Sequence, residues 1–292
     1  MIGPVGPVAA TSQSPALGVR GVALCQQATS TLAIAHLRPT IPEHEIPRHC
    51  HEDMHLVLLL AGRYVSDAAG MPAVCTEPAL ILNPPGTEHR DRFRSRDGLF
   101  LTLTMSSTAF DRFRDGACID DRPMRLPRHS LARAMRLLRE LWNWEGTSPL
   151  AIESILSELV VDAQPNAPAA RSGDKLQLVL DRLEDDSIHP PSLGELASIA
   201  DFHPVYLARA FRKRFGVAPS DYIRRRRLHR AVSLIARRRT LRSAAADLGF
   251  VDESHLHRSF VAEFGMTPGA FRRLVLGRAE VSRIQDAHLR GG

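Results

Sequence analysis

Two stretches of this chain match one another, and the match fixes the architecture of the last hundred residues. Phe211-Arg-Lys-Arg-Phe-Gly-Val-Ala-Pro219 aligns with Phe260-Val-Ala-Glu-Phe-Gly-Met-Thr-Pro268 at an offset of 49 residues. The same offset pairs Leu207 with Leu256, Arg209 with Arg258 and Tyr222 with Phe271. At an offset of 48, Leu193 pairs with Leu241, Ala197 with Ala245 and Phe202 with Phe250. Two copies of one supersecondary unit, differing by a single residue in a turn, account for both offsets.

Each copy reads as helix, tight turn, helix. In the first, over 192–216, Ser192 can cap a helix through Leu193, Leu196 and Ala197. A turn at Asp201–His203 follows, then a helix with Leu207, Phe211 and Phe215 on one face and Gly216 as its stop. In the second, over 241–265, Ala244, Ala245 and Leu248 precede Gly249. The next helix turns Leu256, Phe260 and Phe264 inward and ends at Gly265. Pro219 and Pro268 fall in the first turns of the helices that follow, where a missing N–H costs nothing. A long helix over 219–237 joins the two units. This is helix-turn-helix anatomy, in which the second helix of each unit enters a major groove.

Charge supports a polyanionic partner. Residues 1–174 carry 17 Lys and Arg against 19 Asp and Glu, whereas residues 175–292 carry 21 against 13. The balance of −2 in one part and +8 in the other places the basicity on the repeat. With the apolar positions inward, the first unit exposes Val205, Ala208, Arg209, Arg212 and Lys213, and the second exposes Ser254, His255, His257 and Arg258. Arg209 and Arg258 are the candidates for bidentate reading of guanine edges. Arg212 and Lys213 are placed to hold phosphates. A helical repeat can also serve as a protein-interaction surface, but basicity and turn chemistry agree on double-stranded DNA.

The first part of the chain has a different period. After a Gly/Pro/Ala-rich tail over 1–20, short apolar runs at Thr31–Leu37, His55–Leu60, Ala79–Leu82 and Leu99–Met105 read as strands. Gly62, Gly70 and Pro84–Gly86 are the turns between them. Leu131, Met135, Leu138, Leu141 and Trp142, then Ile152, Ile155, Leu156, Leu159 and Val160, recur at helical spacing. These stripes must be covered by the strands or by a second subunit, the latter giving a homodimer. Asp162–Asp174 is Pro- and Ala-rich and reads as a linker. The expected division is a sensor over 21–120, helices over 121–162, a linker over 163–174, the helical domain over 175–277 and a tail over 278–292.

Residues 176–276 resemble the DNA-binding domain of the AraC/XylS family of bacterial transcription regulators. The resemblance is carried by LASIADFHPVYLARAFRKRFG, Tyr222 and Arg227-Leu228 in the first part and AAADLGFVDESHLHRSFVAEFGMTPGAFRRL in the second. It implies two helix-turn-helix units that contact successive major-groove segments, with RNA polymerase as a further partner. Ala244 stands where the family often has Ile.

A second constellation lies in the first part: His49, His51 and His55 ahead of Gly62, and Pro84-Pro-Gly-Thr-Glu-His89. Histidines two and four apart on a strand share a face. With His89 converging, four imidazoles could hold a divalent transition metal or contact an organic effector, or they could be structural. Together these segments resemble the two motifs of the cupin barrel, the usual effector domain of such regulators. His55 stands where a cupin carboxylate is usual, and Pro78 where a glycine is. Cys50 faces away from this set by strand alternation.

The fold class is therefore α+β and multidomain, with a cupin-like β-barrel plus helices followed by an all-α domain of two helix-turn-helix units. Two functions compete. One is a regulator whose barrel senses a small molecule or metal ion and shifts promoter binding. The other is a metal-dependent cupin enzyme fused to a DNA-binding domain, for which no further acid, base or nucleophile stands out. Four cysteines, the absence of a basic residue before Arg20, and no apolar run longer than Leu56–Ala61 point to a cytoplasmic bacterial protein, associated with the nucleoid and not with a membrane.

Overall fold

The computed structural model describes residues 21–39, 48–68, 74–76, 78–94, 97–114, 119, 121–163, 174–185 and 191–276. The expected tails, and all of the expected linker except its two end residues, lie outside this set.

Ten strands come first: β1 (Val22–Ala28), β2 (Leu32–Arg38), β3 (His49–Cys50), β4 (Met54–Ala61), β5 (Tyr64–Ser66), β6 (Ala79–Asn83), β7 (Glu88–His89), β8 (Asp91–Phe93), β9 (Leu99–Met105) and β10 (Met124–Arg125). Helix α1 (Ser107–Arg114) falls between the last two. A six-stranded antiparallel sheet has the order β1-β2-β9-β4-β6-β10, and β3-β7 and β5-β8 form two-stranded pieces. Strand alternation then divides the core. Leu32, Ile34, Leu56, Leu58, Leu101 and Leu103 turn to the helix-covered face. Ala35, Leu37, Val57, Leu59, Ile81 and Phe100 turn to the other face, where Tyr64 of β5 covers them. Because both faces are buried, β4 and β9 are near-continuous apolar runs.

Helices α2 (Ser130–Trp142) and α3 (Ser148–Ala163) follow. Their apolar stripes join the same cluster as the sheet's helix-facing side chains. The choice between sheet and partner is thereby answered: both stripes are covered within the chain. Ion pairs edge the contact, with Arg136 Nη1 2.9 Å from Glu158 and Arg133 Nη1 2.6 Å from Asp162.

Then come α4 (Lys175–Asp185), α5 (Leu193–Ala200), α6 (Pro204–Phe215), α7 (Pro219–Ala236), α8 (Leu241–Asp247), α9 (Glu253–Phe264) and α10 (Pro268–Leu276). Helices α5–α6 and α8–α9 are the repeated pair. Ser192 and Glu195 form a reciprocal capping box at α5. The turn backbone is left-handed at equivalent positions, Asp201 (φ 51°) and Gly249 (φ 70°), which the offset of 48 aligns. Gly216 and Gly265 close α6 and α9 in the same conformation. Arg227 of α7 donates from Nη1 to the Gly249 carbonyl at 2.8 Å, tying the long helix to the second turn.

The two units do not have equivalent surroundings. Side chains of α4, α5 and α6 form a core of their own with Ile223. Those of α8, α9, α10 and the rest of α7 belong to one cluster with the sheet, α2 and α3. The second unit and the sensor therefore share a core.

Candidate nucleic-acid interface and histidine cluster

Both second helices leave a polar face open. On α6, burial of Leu207 and Phe211 leaves Val205, Arg209, Arg212 and Lys213 exposed, with Ala208 half-buried. On α9, burial of Leu256, Phe260 and Phe264 leaves Ser254, His257 and Arg258 exposed. His255 is half-buried, its ring edge-on to Phe250 at 5.3 Å. Each helix start is fixed by a side chain: His203 Nδ1 accepts from Val205 N at 3.3 Å, and Asp252 Oδ1 from His255 N at 2.6 Å. Residues 203 and 252 are again partners in the offset of 49.

Tyr206 is missing from the expected set and is 58% exposed on α6, braced edge-on by Phe202 at 5.0 Å. The repeat contains the signal for it, because Tyr206 pairs with His255 at 49. Periodicity alone hides it beside the inward Leu207. The units also differ in charge. The last turn of α6 carries Arg212, Lys213 and Arg214, whereas that of α9 carries no basic residue.

His49, His51, His55 and His89 are brought into one neighbourhood. Antiparallel pairing of β3 with β7 sets His49 opposite His89. A ligand atom from each of His49, His51 and His89 lies within 4.8 Å of the others. His55 adjoins this group through His51, with ring centroids 3.9 Å apart, but its Nδ1 is engaged by the Thr104 hydroxyl at 3.1 Å. Cys50 is exposed.

At His51 and His55 the electrostatics favour the neutral imidazole. Burial, with His89 and His49 nearby, lowers the His51 pKa to about 4. Burial, then His51 and His89, lower that of His55 to about 3. His89 Nε2 lies 3.0 Å from Asp91 Oδ2. Burial alone would raise the Asp91 carboxyl, but His89, with Ser66 and Tyr64 nearby, outweighs it and holds the pKa below its ordinary value. An Nε2–H donated to Asp91 leaves the lone pair on Nδ1, which is buried with no hydrogen-bond partner among the described residues. A carboxylate that orients a ligating imidazole from behind is the usual support of a metal-binding histidine.

A sheet domain with a histidine-lined inner face, followed by two helix-turn-helix units, defines a DNA-binding regulator with a built-in sensor. Residues 31–160 match the profile of an AraC-like ligand binding domain, and residues 196–274 that of a helix-turn-helix domain. The chain belongs to the AraC family of transcription regulators. It is 26% identical over 238 residues to YobQ, an uncharacterized HTH-type transcriptional regulator of Bacillus subtilis, covering 77% of this chain and 88% of that one. It is 31% identical over 98 residues to the regulatory protein SoxS of Salmonella typhimurium, covering 33% of this chain and 92% of SoxS. Among solved structures, ToxT from Vibrio cholerae aligns with a TM-score of 0.37 at 11% identity, covering 85% of this chain and 100% of ToxT. No helix among the described residues is long and apolar enough to cross a membrane.

Proposed function

We propose that this regulator reads two major-groove segments of its operator with α6 and α9, and that its histidine cluster is the input site, holding a divalent transition metal through His49, His51 and His89. The reading of DNA rests on one observation: matched helices of both units present Arg209 and Arg258 to solvent at equivalent points. Arg209→Ala and Arg258→Ala should each cost about 1–3 kcal/mol at the cognate site and relax sequence preference locally. Equal losses on cognate and random duplexes would refute the assignment of base readers.

The metal reading rests on three converging ring nitrogens with one imidazole oriented by Asp91. A bound ion would supply charge and a rigid link between β3 and β7, with no catalytic step required of it. Purified protein should carry near-stoichiometric divalent metal that falls sharply in His51→Ala, read by elemental analysis. A second reading, an organic effector, is favoured by the same face of the sheet. Asn83 Oδ1 and Thr102 Oγ1 are buried there without hydrogen-bond partners among the described residues, and Asn83 pairs with His55 across the ladder. Metal-free protein with unaltered regulation would favour this effector. We place the protein in the cytoplasm and assign it no enzymatic reaction; turnover abolished by His49→Ala would reverse the latter.

Homodimerisation through the stripes of α2 and α3 is not part of this proposal, since those stripes are covered within the chain.

A further inference from the structure

We propose that the cleft between the first helix-turn-helix unit and the sensor helices binds a small organic dianion, with two or more carboxylate or phosphate charges on a compact flat body. This site is separate from the histidine cluster. It is a cavity of about 690 Å³, within the size range of small-molecule sites.

Its walls come from three places in the chain. Arg125 and Arg128 approach from β10 and the segment before α2, Lys213 and Arg214 from the end of α6, and Arg225 and Arg226 from α7. Against these six cations the lining has two carboxylates, Asp162 and Glu184. Both are already committed. Asp162 accepts from the Ser130 hydroxyl at 2.9 Å and from Arg133 at 2.6 Å. Glu184 accepts from the Tyr222 hydroxyl at 2.6 Å and has Arg128 Nε at 3.7 Å and Arg226 Nη1 at 3.8 Å. Behind the lining, Asp174 meets Arg214 Nη2 at 2.8 Å and Glu263 meets Arg225 Nε at 3.5 Å.

Even with all four carboxylates set against the six lining cations, and leaving out Arg133, which already neutralises Asp162 from outside, the cleft keeps an excess of at least two positive charges. Neither Arg125 nor Lys213 has an ion-pair partner among the described residues, and Arg214 Nε is buried without a hydrogen-bond acceptor there. A buried guanidinium N–H without an acceptor is costly, and a charged acceptor supplied by a ligand removes that cost. An excess of at least two calls for two or more charges on the ligand. Pro127, Phe215 and Val217 supply apolar wall for a flat body rather than a bare inorganic ion.

The test uses the full chain, calorimetry and two dianion probes: isophthalate for the carboxylate source and phenyl phosphate for the phosphate source. Benzoate, with one charge on the same ring, is the control. One-to-one binding of either probe is expected, at least about tenfold tighter than benzoate. Which probe binds identifies the source. Arg125→Glu should weaken that binding by about tenfold or more. Arg125 is exposed, so the variant should fold, and Arg125→Gln with a smaller loss is the check. Arg209→Ala should leave the affinity unchanged.

No binding of either probe would overturn the proposal. So would equal binding by Arg125→Glu, or a loss in Arg209→Ala as large as that in Arg125→Glu, the signature of nonspecific capture by the basic DNA face. No DNA is present in the assay, so its outcome does not depend on the reading of α6 and α9.

Discussion

His36 is the residue whose chemistry fits its position least comfortably. It is 0% exposed on β2, turned with Leu32 and Ile34 toward α2, where its ring meets Trp142 edge-on at 6.1 Å. Neither ring nitrogen has a hydrogen-bond partner among the described residues. Burial, and secondarily Arg38, lowers its pKa from 6.5 to about 3. The sign of the consequence follows from linkage. As pH falls through 6.5 the unfolded chain takes a proton that the folded chain refuses until about pH 3, so stability drops on acidification across that window. One such group contributes at most about 1.4 kcal/mol per pH unit. His36→Leu should remove that share, giving a melting temperature that declines less steeply than wild type between neutral pH and about pH 5. Parallel acid limbs in the two proteins would refute it. His51 and His55, also lowered, add to the wild-type slope in the same direction.

The residue scale also separates what could be read in the sequence from what could not. Strand alternation places His36 on a face, but nothing local says that the covering helix brings it no acceptor. The spacing of His49 and His51 was legible because it is local. The pairing of His49 with His89 was not, because it depends on a two-residue strand, β3, meeting another, β7, some 40 positions later. Asp91 is only two positions from His89, yet no feature of that spacing signals that its carboxylate will sit behind the ring. Periodicity needs length, and elements of two residues have none.

Among elements, α6 and α9 are the informative pair, because one ancestry has been given two electrostatic characters. Both were legible: the repeat and the stopping glycines put each helix where the structure has it. The offset of 49 places Val261 and Ala262 of α9 opposite Arg212 and Lys213 of α6. The last turn of the first unit's second helix is therefore the more basic of the two, and on the proposed reading it is where phosphates are held. Salt dependence is the appropriate readout, since each phosphate contact contributes close to one unit of slope in log affinity against log salt. Replacing Arg212 and Lys213 together with Gln should flatten that slope by about two units and weaken cognate and random duplexes alike. A slope equal to wild type would place the phosphate contacts elsewhere.

For the whole molecule, the decisive fact is where its cores begin and end. Sequence composition set the boundary at the Pro- and Ala-rich stretch over 163–174. The apolar packing groups the helices in another way, because a Pro- and Ala-rich composition says nothing of which surfaces meet on either side of it. The second unit shares a core with the sensor, whereas the first has a smaller one. The ion pair between Arg237 and Asp97, 2.7 Å long with both side chains more than a third exposed, contributes little beside that packing. Opening should follow the division. In native-state hydrogen exchange, amides of α5 and the buried side of α6 should exchange through a lower-energy opening than those of α9 and α10. Equal opening energies for the two units would mean that the seam is not a weak point.

That seam bears on how this protein can be taken apart. A cut in the stretch over 163–174 looks like a clean release of the DNA reader, yet it strips the sheet and α2 from the apolar sides of α7 through α10. The released piece would carry a raw hydrophobic surface and a tendency to self-associate. The natural parting line lies instead within α7, after Ile223, between two helix-turn-helix units of like sequence that pack into different cores.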